Sequence, residues 1–215
     1  MEISSYWELR LSDCKKSLEK NNFDAFIASS PSDARRVVID QILPLIDIKS
    51  VSWGDSLTLY ATETVAYFRD QPGIKLIETF DKNMTREEKM EPRRKALLTD
   101  LFLSGTNAVV DSGMLVNLDM IGNRVGGITF GPKYVVIMVG RNKLVQNLDE
   151  AMKRIKNLVA PQNAIRHSHK TPCAKTSYCM ECKSPDRICN VWTMQAKSYP
   201  KGRIKVILIN QDLGL

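Results

Sequence analysis

Four cysteines within seventeen residues are the strongest chemical signal in this sequence of 215 residues. They are Cys173, Cys179, Cys182 and Cys189, spaced as C-x5-C-x2-C-x6-C, and the chain has only one other cysteine. The central C-x2-C pair suits two-point binding of a soft metal, because thiolates are ligands of both zinc and iron–sulphur clusters. A zinc ribbon presents two such pairs separated by a longer loop. A single pair flanked by two outer cysteines predicts one compact metal centre within one loop, for which an iron–sulphur cluster and zinc are the candidates.

The cysteine spacing resembles the cluster loop of endonuclease-III-type DNA glycosylases, C-x6-C-x2-C-x5-C, which holds a [4Fe–4S] cluster in a loop of the same length. The resemblance is limited to that loop, since Gln71-Pro-Gly-Ile is only a fragment of a helix-hairpin-helix. It therefore implies the cluster chemistry and not DNA repair. His167 and His169 lie just upstream, where either could replace a cysteine, but we expect both to be solvated or to support the ligands. A thiol switch or a loop without metal is the remaining alternative.

Positive charge is concentrated in the part of the chain that carries the cysteines. The net charge is +7, and from residue 141 onward there are 14 Lys and Arg against 5 Asp and Glu. Nucleic-acid attraction, a solvated basic surface and compensation of an anionic metal–thiolate centre would each explain this surplus. Because no aromatic–basic motif accompanies it, we expect a solvated surface and no nucleic-acid partner. Four basic residues near the cysteines could offset the charge of a cluster: Lys170, Lys175, Lys183 and Arg187.

A second chemical signal is the polar, glycine-containing block 104–124. Asn and Gly favour tight turns, which is a complete structural explanation for many of its residues. Asn and Asp at strand ends beside an Arg also suit the orientation of a small hydroxylated or carboxylated ligand, because strand ends line the binding crevice of an open α/β sheet. The candidate ligand-binding residues of this block are Asn107, Asn117, Asp119, Asn123 and Arg124.

Two shorter motifs have ordinary structural explanations, and no catalytic residue is assigned. Gly54-Asp55-Ser56-Leu57 matches the signature of a serine hydrolase family. The Asp-x-x-His block of those enzymes is missing, so we expect Asp55 or Ser56 to cap a helix. Arg93-Arg94-Lys95 is typical of a solvated helix face, with contact to a phosphate group or coenzyme A as the alternative.

The elements that must position these residues follow from hydrophobic patterning and capping signals. Strands and helices alternate from the N-terminus, which predicts a mostly parallel sheet covered by helices on both faces. Predicted strands span about 23–29, 48–53, 74–77, 134–139 and 204–209, with a hairpin at 107–110 and 114–118. Predicted helices span about 5–20, 30–43, 57–68, 85–102 and 149–159, the last stopped by Pro161. The segment 167–192 is predicted to be a metal-binding loop inserted before the last strand of a single domain spanning 1–215.

The composition is that of an ordinary globular protein, with 43% hydrophobic and 26% charged residues. No apolar run approaches the roughly 20 residues of a transmembrane helix. The first residues also lack the basic and apolar regions of a signal peptide. We therefore expect a cytoplasmic protein without a membrane partner, in a compartment where clustered cysteines more often bind metal than form disulfides.

Several segments resemble the lactate-utilisation (LUD) domain family, in a short form with a C-terminal four-cysteine loop. The most specific is the block from Ser104 to Arg124, which is followed by Phe130-Gly-Pro-Lys-Tyr and a strand. Trp53-Gly-Asp-Ser-Leu-Thr matches the family's strand-to-helix turn. Ala160-Pro-Gln-Asn and Ser184-Pro-Asp-Arg-Ile-Cys are similar to the short cysteine-bearing members. The likeness covers nearly the whole chain.

This resemblance implies a three-layer α/β/α fold similar to the sugar-phosphate isomerase and coenzyme A transferase superfamily. It implies an iron–sulphur protein that is an electron-transfer or accessory subunit in lactate or small organic acid metabolism, and so part of an oxidoreductase. The implied partners are a redox partner or complex subunits, a small organic acid or a ligand bearing coenzyme A or phosphate, and a second copy in a homodimer. The chain lacks the two-cluster ferredoxin domain of larger relatives, so the resemblance does not imply that lactate is the substrate. The alternative is a redox-sensing or regulatory binding module that holds zinc or a cluster and has no catalysis of its own.

Overall fold

A six-stranded, fully parallel sheet is the centre of the computed structural model, which describes residues 3–215. Its strands, in spatial order, are β1 (Asp24–Ala28), β10 (Ile204–Ile209), β7 (Tyr134–Gly140), β4 (Leu101–Gly105), β2 (Ser50–Trp53) and β3 (Lys75–Leu76). Every adjacent pair is parallel. The central strand β7 is a continuous apolar run, and β10 is interrupted only by Lys205, because a parallel sheet is buried on both faces.

Helices cover both faces of this sheet, which gives three layers and confirms the predicted α/β/α fold class. Those on the first face are α1 (Ile3–Lys20), α5 (Met90–Ala96) and α6 (Asn123–Thr129). Those on the second face are α2 (Pro31–Arg36), which continues through π-type and 3-10 turns to Leu45, α3 (Leu57–Ala61) and α4 (Thr64–Arg69). Within residues 3–215, no helix is both long enough and apolar enough to cross a membrane.

A second, four-stranded sheet packs beside the first face of the large sheet. Its strands, in spatial order, are β8 (Leu144–Val145), β5 (Ala108–Val110), β6 (Met114–Asp119) and β9 (Val191–Gln195). β5 and β6 form the predicted hairpin, and its turn needs Gly113 because φ there is +81°. A long helical segment packs on the other side of this sheet and consists of α7 (Leu148–Arg154), a π-type turn (Ile155–Val159) and α8 (Ala160–Arg166).

The helix predicted over 85–102 is wrong in its second half. The predicted capping box does form, since the Thr85 backbone N–H donates to Glu88 Oε2 at 2.7 Å and the Glu88 N–H donates to Thr85 Oγ1 at 3.2 Å. The helix itself is short, and Pro92 lies in its first turn, where a missing N–H removes no helical bond. The residues from Leu101 onward belong to β4 instead, because they are buried on both faces of the sheet.

The predicted end of a helix before Pro161 is also wrong, because the helical segment continues to Arg166. The Ala160 backbone N–H bonds to the Ile155 carbonyl, five residues back, as in a π-type turn. Proline, which has no N–H to donate, follows directly and stands at the start of the next helical turn. The helix predicted over 57–68 is divided in two at Glu63, whose φ is +54°.

Two adjacent glycines in α6 provide a test of this packing. A Cβ on Gly127 would lie 2.7 Å from the buried Phe102 ring, whereas a Cβ on Gly126 would meet only Leu97 at an ordinary 3.6 Å. We expect Gly127→Ala to lower the free energy of unfolding by about 1–3 kcal/mol through overpacking. Gly126→Ala is the matched control and should be neutral or stabilising by up to about 1 kcal/mol, because alanine favours helix. Urea unfolding of both variants measures the difference, and equal stabilities would contradict the close packing of α6 on β4.

Candidate functional site

The helix α6 begins at the end of β6, and the carboxylate of Asp119 fixes that junction. Its oxygens accept from the backbone N–H groups of Met120 at 2.9 Å and of Arg124 and Val125 at 3.1 Å each. Gly122 allows the tight connection because φ there is +86°. Asp119 therefore caps the helix, which places the Arg124 side chain at the ends of strands β4 and β6.

The guanidinium of Arg124 is buried and bonded to oxygens from both sheets. It donates to the Gly105 carbonyl at 3.1 Å, to Asn117 Oδ1 at 2.8 Å, to Asn107 Oδ1 at 2.9 Å and to the Leu118 carbonyl at 3.0 Å. Burial lowers the pKa of this guanidinium. All four acceptors are neutral, so this buried charge has no directly bonded carboxylate among the described residues.

The backbone around Arg124 is packed too closely to accept larger residues. A Cβ on Gly54 would lie 2.6 Å from Arg124 Cγ and 2.9 Å from Ser104 Oγ. Gly105 is similarly close to the Ser56 hydroxyl. These glycines follow β2 and end β4, so the carboxyl ends of two neighbouring strands meet the arginine directly. In a parallel sheet this edge is where ligands bind.

A cavity of about 530 Å³ opens at this edge of the sheet. Four of the five ligand-binding residues predicted from the sequence line it, and Asn117 does not. Asn117 is fully buried beneath the cavity, where it supports Arg124 and the Asn107 backbone N–H. The predicted ligand-binding residues in the wall are Asn107, Asp119, Asn123 and Arg124.

Positive side chains predominate in the cavity wall. Six Lys and Arg side chains line it, against two aspartates that are already engaged, Asp55 in an ion pair and Asp119 in the helix cap. Only Arg124 among the six was predicted from the sequence as a ligand-binding residue. The six are Arg86, Lys89, Arg93, Arg124, Lys143 and Arg166.

Lys143 is the most unusual of these cations because it is buried, with a relative exposure of only 5%. Its Nζ donates to the Thr106 carbonyl at 3.2 Å, and no carboxylate pairs with it in residues 3–215. Burial, together with the charges of Arg154 and Arg124, lowers the pKa of Lys143 to about 7. This lysine stands in the short turn after β7, and its sequence context of Arg141-Asn142-Lys143 gave no signal that it is buried.

Asp55 joins Arg166 and His167 at the edge of the large cavity. It pairs with Arg166 and with His167 Nε2, the latter at 3.0 Å. Burial acts to raise the pKa of Asp55, but the hydrogen bonds from His167 and Arg166 outweigh it and lower the pKa to about 2. Ser56, not Asp55, caps α3, since its Oγ accepts from the Leu59 N–H at 3.2 Å. In the described part of the chain no base is hydrogen-bonded to Ser56, so the helix-cap interpretation holds.

The four cysteines line a second, smaller cavity of about 100 Å³. α9 (Cys173–Thr176) carries the first, and the other three lie in irregular backbone before β9. Each is partly exposed, and none forms a disulfide. Among residues 3–215, no three His, Cys, Asp or Glu side chains stand close enough together to hold a single metal ion.

Two basic side chains contact the cysteine loop: Arg187 from within the loop and Lys156 from the helical segment. Arg187 donates to the Cys182 carbonyl at 3.0 Å and to the Cys189 carbonyl at 2.8 Å. Its buried Nε has no hydrogen-bond partner in the described part of the chain. Lys156 extends from the helical segment towards the loop and is paired with Glu181. The hydrogen bond to Glu181 is the main cause that raises the pKa of Lys156, and the charges of Cys179 and Cys189 add to it. Both residues line the small cavity and would stabilise negative charge on the sulphurs.

The two cavities share part of one wall. Leu118, Ala160 and Ile188 line both. His169 lines the large cavity and pairs with Asp186 at 3.0 Å, and His167 is bound to Asp55. The histidines upstream of the cysteines therefore belong to the large cavity, and neither lines the small one.

Comparison with known proteins agrees with this architecture. Residues 11–209 match the family model described as the LUD domain. A solved structure that is similar to the chain is that of a DUF162 family protein from Deinococcus radiodurans, with 12% sequence identity and a TM-score of 0.50 over 97% of this chain and 99% of that chain. At this identity the structural likeness supports the fold alone. No curated protein matches the sequence.

The Asp55 ion pairs predict a pH dependence of stability. The folded-state pKa of Asp55 is lowered from 3.8 to about 2, so its contribution is present above about pH 4 and is lost as the pH falls towards 2. We expect the free energy of unfolding of the wild type to fall by about 2 kcal/mol more over this range than that of Asp55→Asn. Asp13→Asn, which removes an exposed pair with Lys16, is the control and should follow the wild type. Parallel curves for wild type and Asp55→Asn in urea unfolding from pH 5 to pH 2 would contradict the arrangement.

Proposed function

This chain belongs to the LUD domain family, and on that basis we propose that it is an iron–sulphur protein with a ligand cavity beside its cluster. Cys173, Cys179, Cys182 and Cys189 would hold a [4Fe–4S] cluster. The protein would act as an electron-transfer or accessory subunit in the metabolism of small organic acids. The observation that carries the proposal is that all four cysteines line one cavity of about 100 Å³.

The set of ligands supports a cluster over a zinc ion. All four cysteines line one cavity, and neither histidine of the preceding segment does. A cluster of four irons and four sulphides has its cysteine ligands at the corners of a larger body. The donor set, four cysteines and no histidine, is also that of a cubane cluster.

The charges around the small cavity suit an anionic centre. Four thiolates on either kind of metal centre leave a net negative charge. Lys156, Glu181 and Arg187 line the cavity, and Lys156 is paired with Glu181. The Nε of Arg187 has no partner among the described residues and is a donor that a sulphur could accept from. Hydrogen bonds and solvent exposure of this kind set the reduction potential of a cluster. When bound, the cluster would supply one-electron transfer or a Lewis-acidic iron.

The shared wall between the cavities supports a role in small-molecule metabolism. Leu118, Ala160 and Ile188 would separate the cluster from a ligand by the thickness of one side chain. The chain's own residues would bind and orient that ligand, with Arg124 fixing the cavity floor and the Asp55–His167 pair at its mouth. A single cluster needs an external donor or acceptor, so a redox partner would dock near the cysteine loop, where Tyr178 and Met180 are exposed.

The second candidate function is a redox-sensing module. All four cysteines are partly exposed, so an oxidant or a competing metal could reach them. In that case the loop would hold zinc or a labile cluster and would signal its loss to a partner. The metal content of the purified protein separates the two functions.

Metal and acid-labile sulphide content of protein purified without oxygen tests the cluster directly. We expect about four irons and four sulphides per chain, with the broad visible absorption of a cluster. Each single Cys→Ser change at positions 173, 179, 182 and 189 should reduce this content strongly. Cys14→Ala is the matched control, because Cys14 lies on the buried face of α1 and burial raises its pKa to about 12.

The possible metal contents have distinct meanings. A content of one zinc ion and no sulphide per chain would show that the loop holds structural zinc instead of a cluster. This result would favour the redox-sensing module. Full iron content in all four Cys→Ser variants would contradict the assignment of these ligands. Circular dichroism of each variant separates loss of the cluster from loss of the fold.

A further inference from the structure

The cations of the large cavity come from two different parts of the fold. Lys143 stands in the turn after β7 and experiences the charges of Arg124 and Arg154, whereas Arg93 stands on α5 and experiences those of Arg86, Asp119 and Asp55. Arg166 belongs to neither group because Asp55 already pairs with it. Each of the two groups has positive charge with no bonded carboxylate among residues 3–215.

The ammonium of Lys143 has more N–H donors than the hydrogen bonds it makes in the folded chain. An ammonium has three N–H donors, and among residues 3–215 only one acceptor, the Thr106 carbonyl, lies within bonding distance. A buried charge without a counter-ion is unfavourable unless a partner arrives. Since Lys143 lines the cavity, the group that would complete its bonding is an anion in the cavity.

The outer group consists of Arg86, Lys89 and Arg93, on α5 and the turns before it. Within the described residues 3–215, none of the three forms an ion pair, and the buried Nε of Arg93 has no hydrogen-bond partner. The neighbouring Arg94 behaves differently, since it points to solvent and pairs with Glu91 at 3.5 Å. The run Arg93-Arg94-Lys95 is thus not a uniform solvated face, because one of its three cations lines the cavity.

The size of the cavity argues against a lone three-carbon acid. A volume of about 530 Å³ is within the range of pockets that hold drug-sized ligands. A single carboxylate could bond to only one of the two cation groups. A ligand with two anionic groups would reach both and would neutralise more of the positive wall.

We infer that the large cavity binds an organic phosphate that also carries a carboxylate, with the phosphate among Arg86, Lys89 and Arg93 and the carboxylate at Lys143. Arginine forks match phosphate oxygens with paired N–H donors, and a lysine serves one carboxylate as a compact charge. The inference rests on the proposed function in taking this cavity as the ligand site, and it names the class of ligand. It does not depend on the cluster.

Titration calorimetry with defined probes tests the inference at fixed ionic strength. The probes are 3-phosphoglycerate, glycerol 3-phosphate, which lacks the carboxylate, L-lactate, which lacks the phosphate, and inorganic phosphate. We expect 3-phosphoglycerate to bind at least about tenfold more tightly than each of the other three, because a charge-assisted hydrogen bond contributes enough for that ratio.

Two variants assign the two ends of the ligand. Arg93→Gln should weaken 3-phosphoglycerate and glycerol 3-phosphate alike, by about tenfold. Lys143→Met should weaken 3-phosphoglycerate to the affinity of glycerol 3-phosphate and leave glycerol 3-phosphate unchanged. Arg94→Gln, on the same helix but outside the cavity, is the matched control and should bind all probes as the wild type does.

Equal binding of 3-phosphoglycerate and L-lactate by the wild type would overturn the inference, as would wild-type affinity in Arg93→Gln. Undiminished preference for 3-phosphoglycerate over glycerol 3-phosphate in Lys143→Met would overturn the assignment of the carboxylate end. Iron content is measured on the same samples. Loss of probe binding in a cluster-containing protein therefore counts against the ligand class, and absence of iron in a protein that binds the probe counts against the proposed function.

Discussion

The buried guanidinium of Arg124 is the interaction on which the rest of the site depends. A buried charge must have its donors satisfied, and this one draws on the end of β4, on β6 and on the loop residue Asn107. It thereby ties the large parallel sheet to the small sheet. The close approach of Gly54 and the helix cap by Asp119 are consequences of the same requirement, since both position the arginine. The large cavity lies beside this contact between the two sheets.

The two cavities have complementary chemistry across a thin apolar wall. The small one offers four thiols, which become anionic when they bind metal, and the large one presents an excess of cations. Charge on a cluster and charge on a ligand would act on each other through Leu118, Ala160 and Ile188, where little water intervenes. A change of redox state would then alter ligand affinity, and a bound ligand would alter the potential by the same coupling.

The sequence predicted what depends on local patterning. The parallel strands, the hairpin from β5 to β6, the helix caps and the grouping of the cysteines follow from short-range signals. The strand β4 was missed because its apolar run follows a real capping box and is short enough to be taken for the end of that helix. The helix break at Pro161 was wrong because a π-type turn directly before the proline accommodates it.

The site was harder to predict, since topology and not spacing assembles it. Arg93, Lys143 and Arg166 come from three distant segments, and only the order of strands brings them to one edge of the sheet. Asn117 was assigned to the cavity because polar residues at strand ends line such sites. Strand alternation turns it inward to Arg124 instead. Burial of Lys143 cannot be deduced from its neighbours in sequence, since Arg141 and Asn142 before it are polar and only Leu144 and Val145 after it are apolar.

The most direct test of the coupled cavities is whether filling the large one is sensed by the cluster. Electron paramagnetic resonance of the dithionite-reduced protein would be recorded with and without saturating 3-phosphoglycerate. We predict a [4Fe–4S] signal whose g values shift on addition of the probe, with the shift lost in Arg93→Gln at the same concentration. An iron–sulphur signal that stays unchanged while calorimetry shows the cavity to be filled would contradict the coupling.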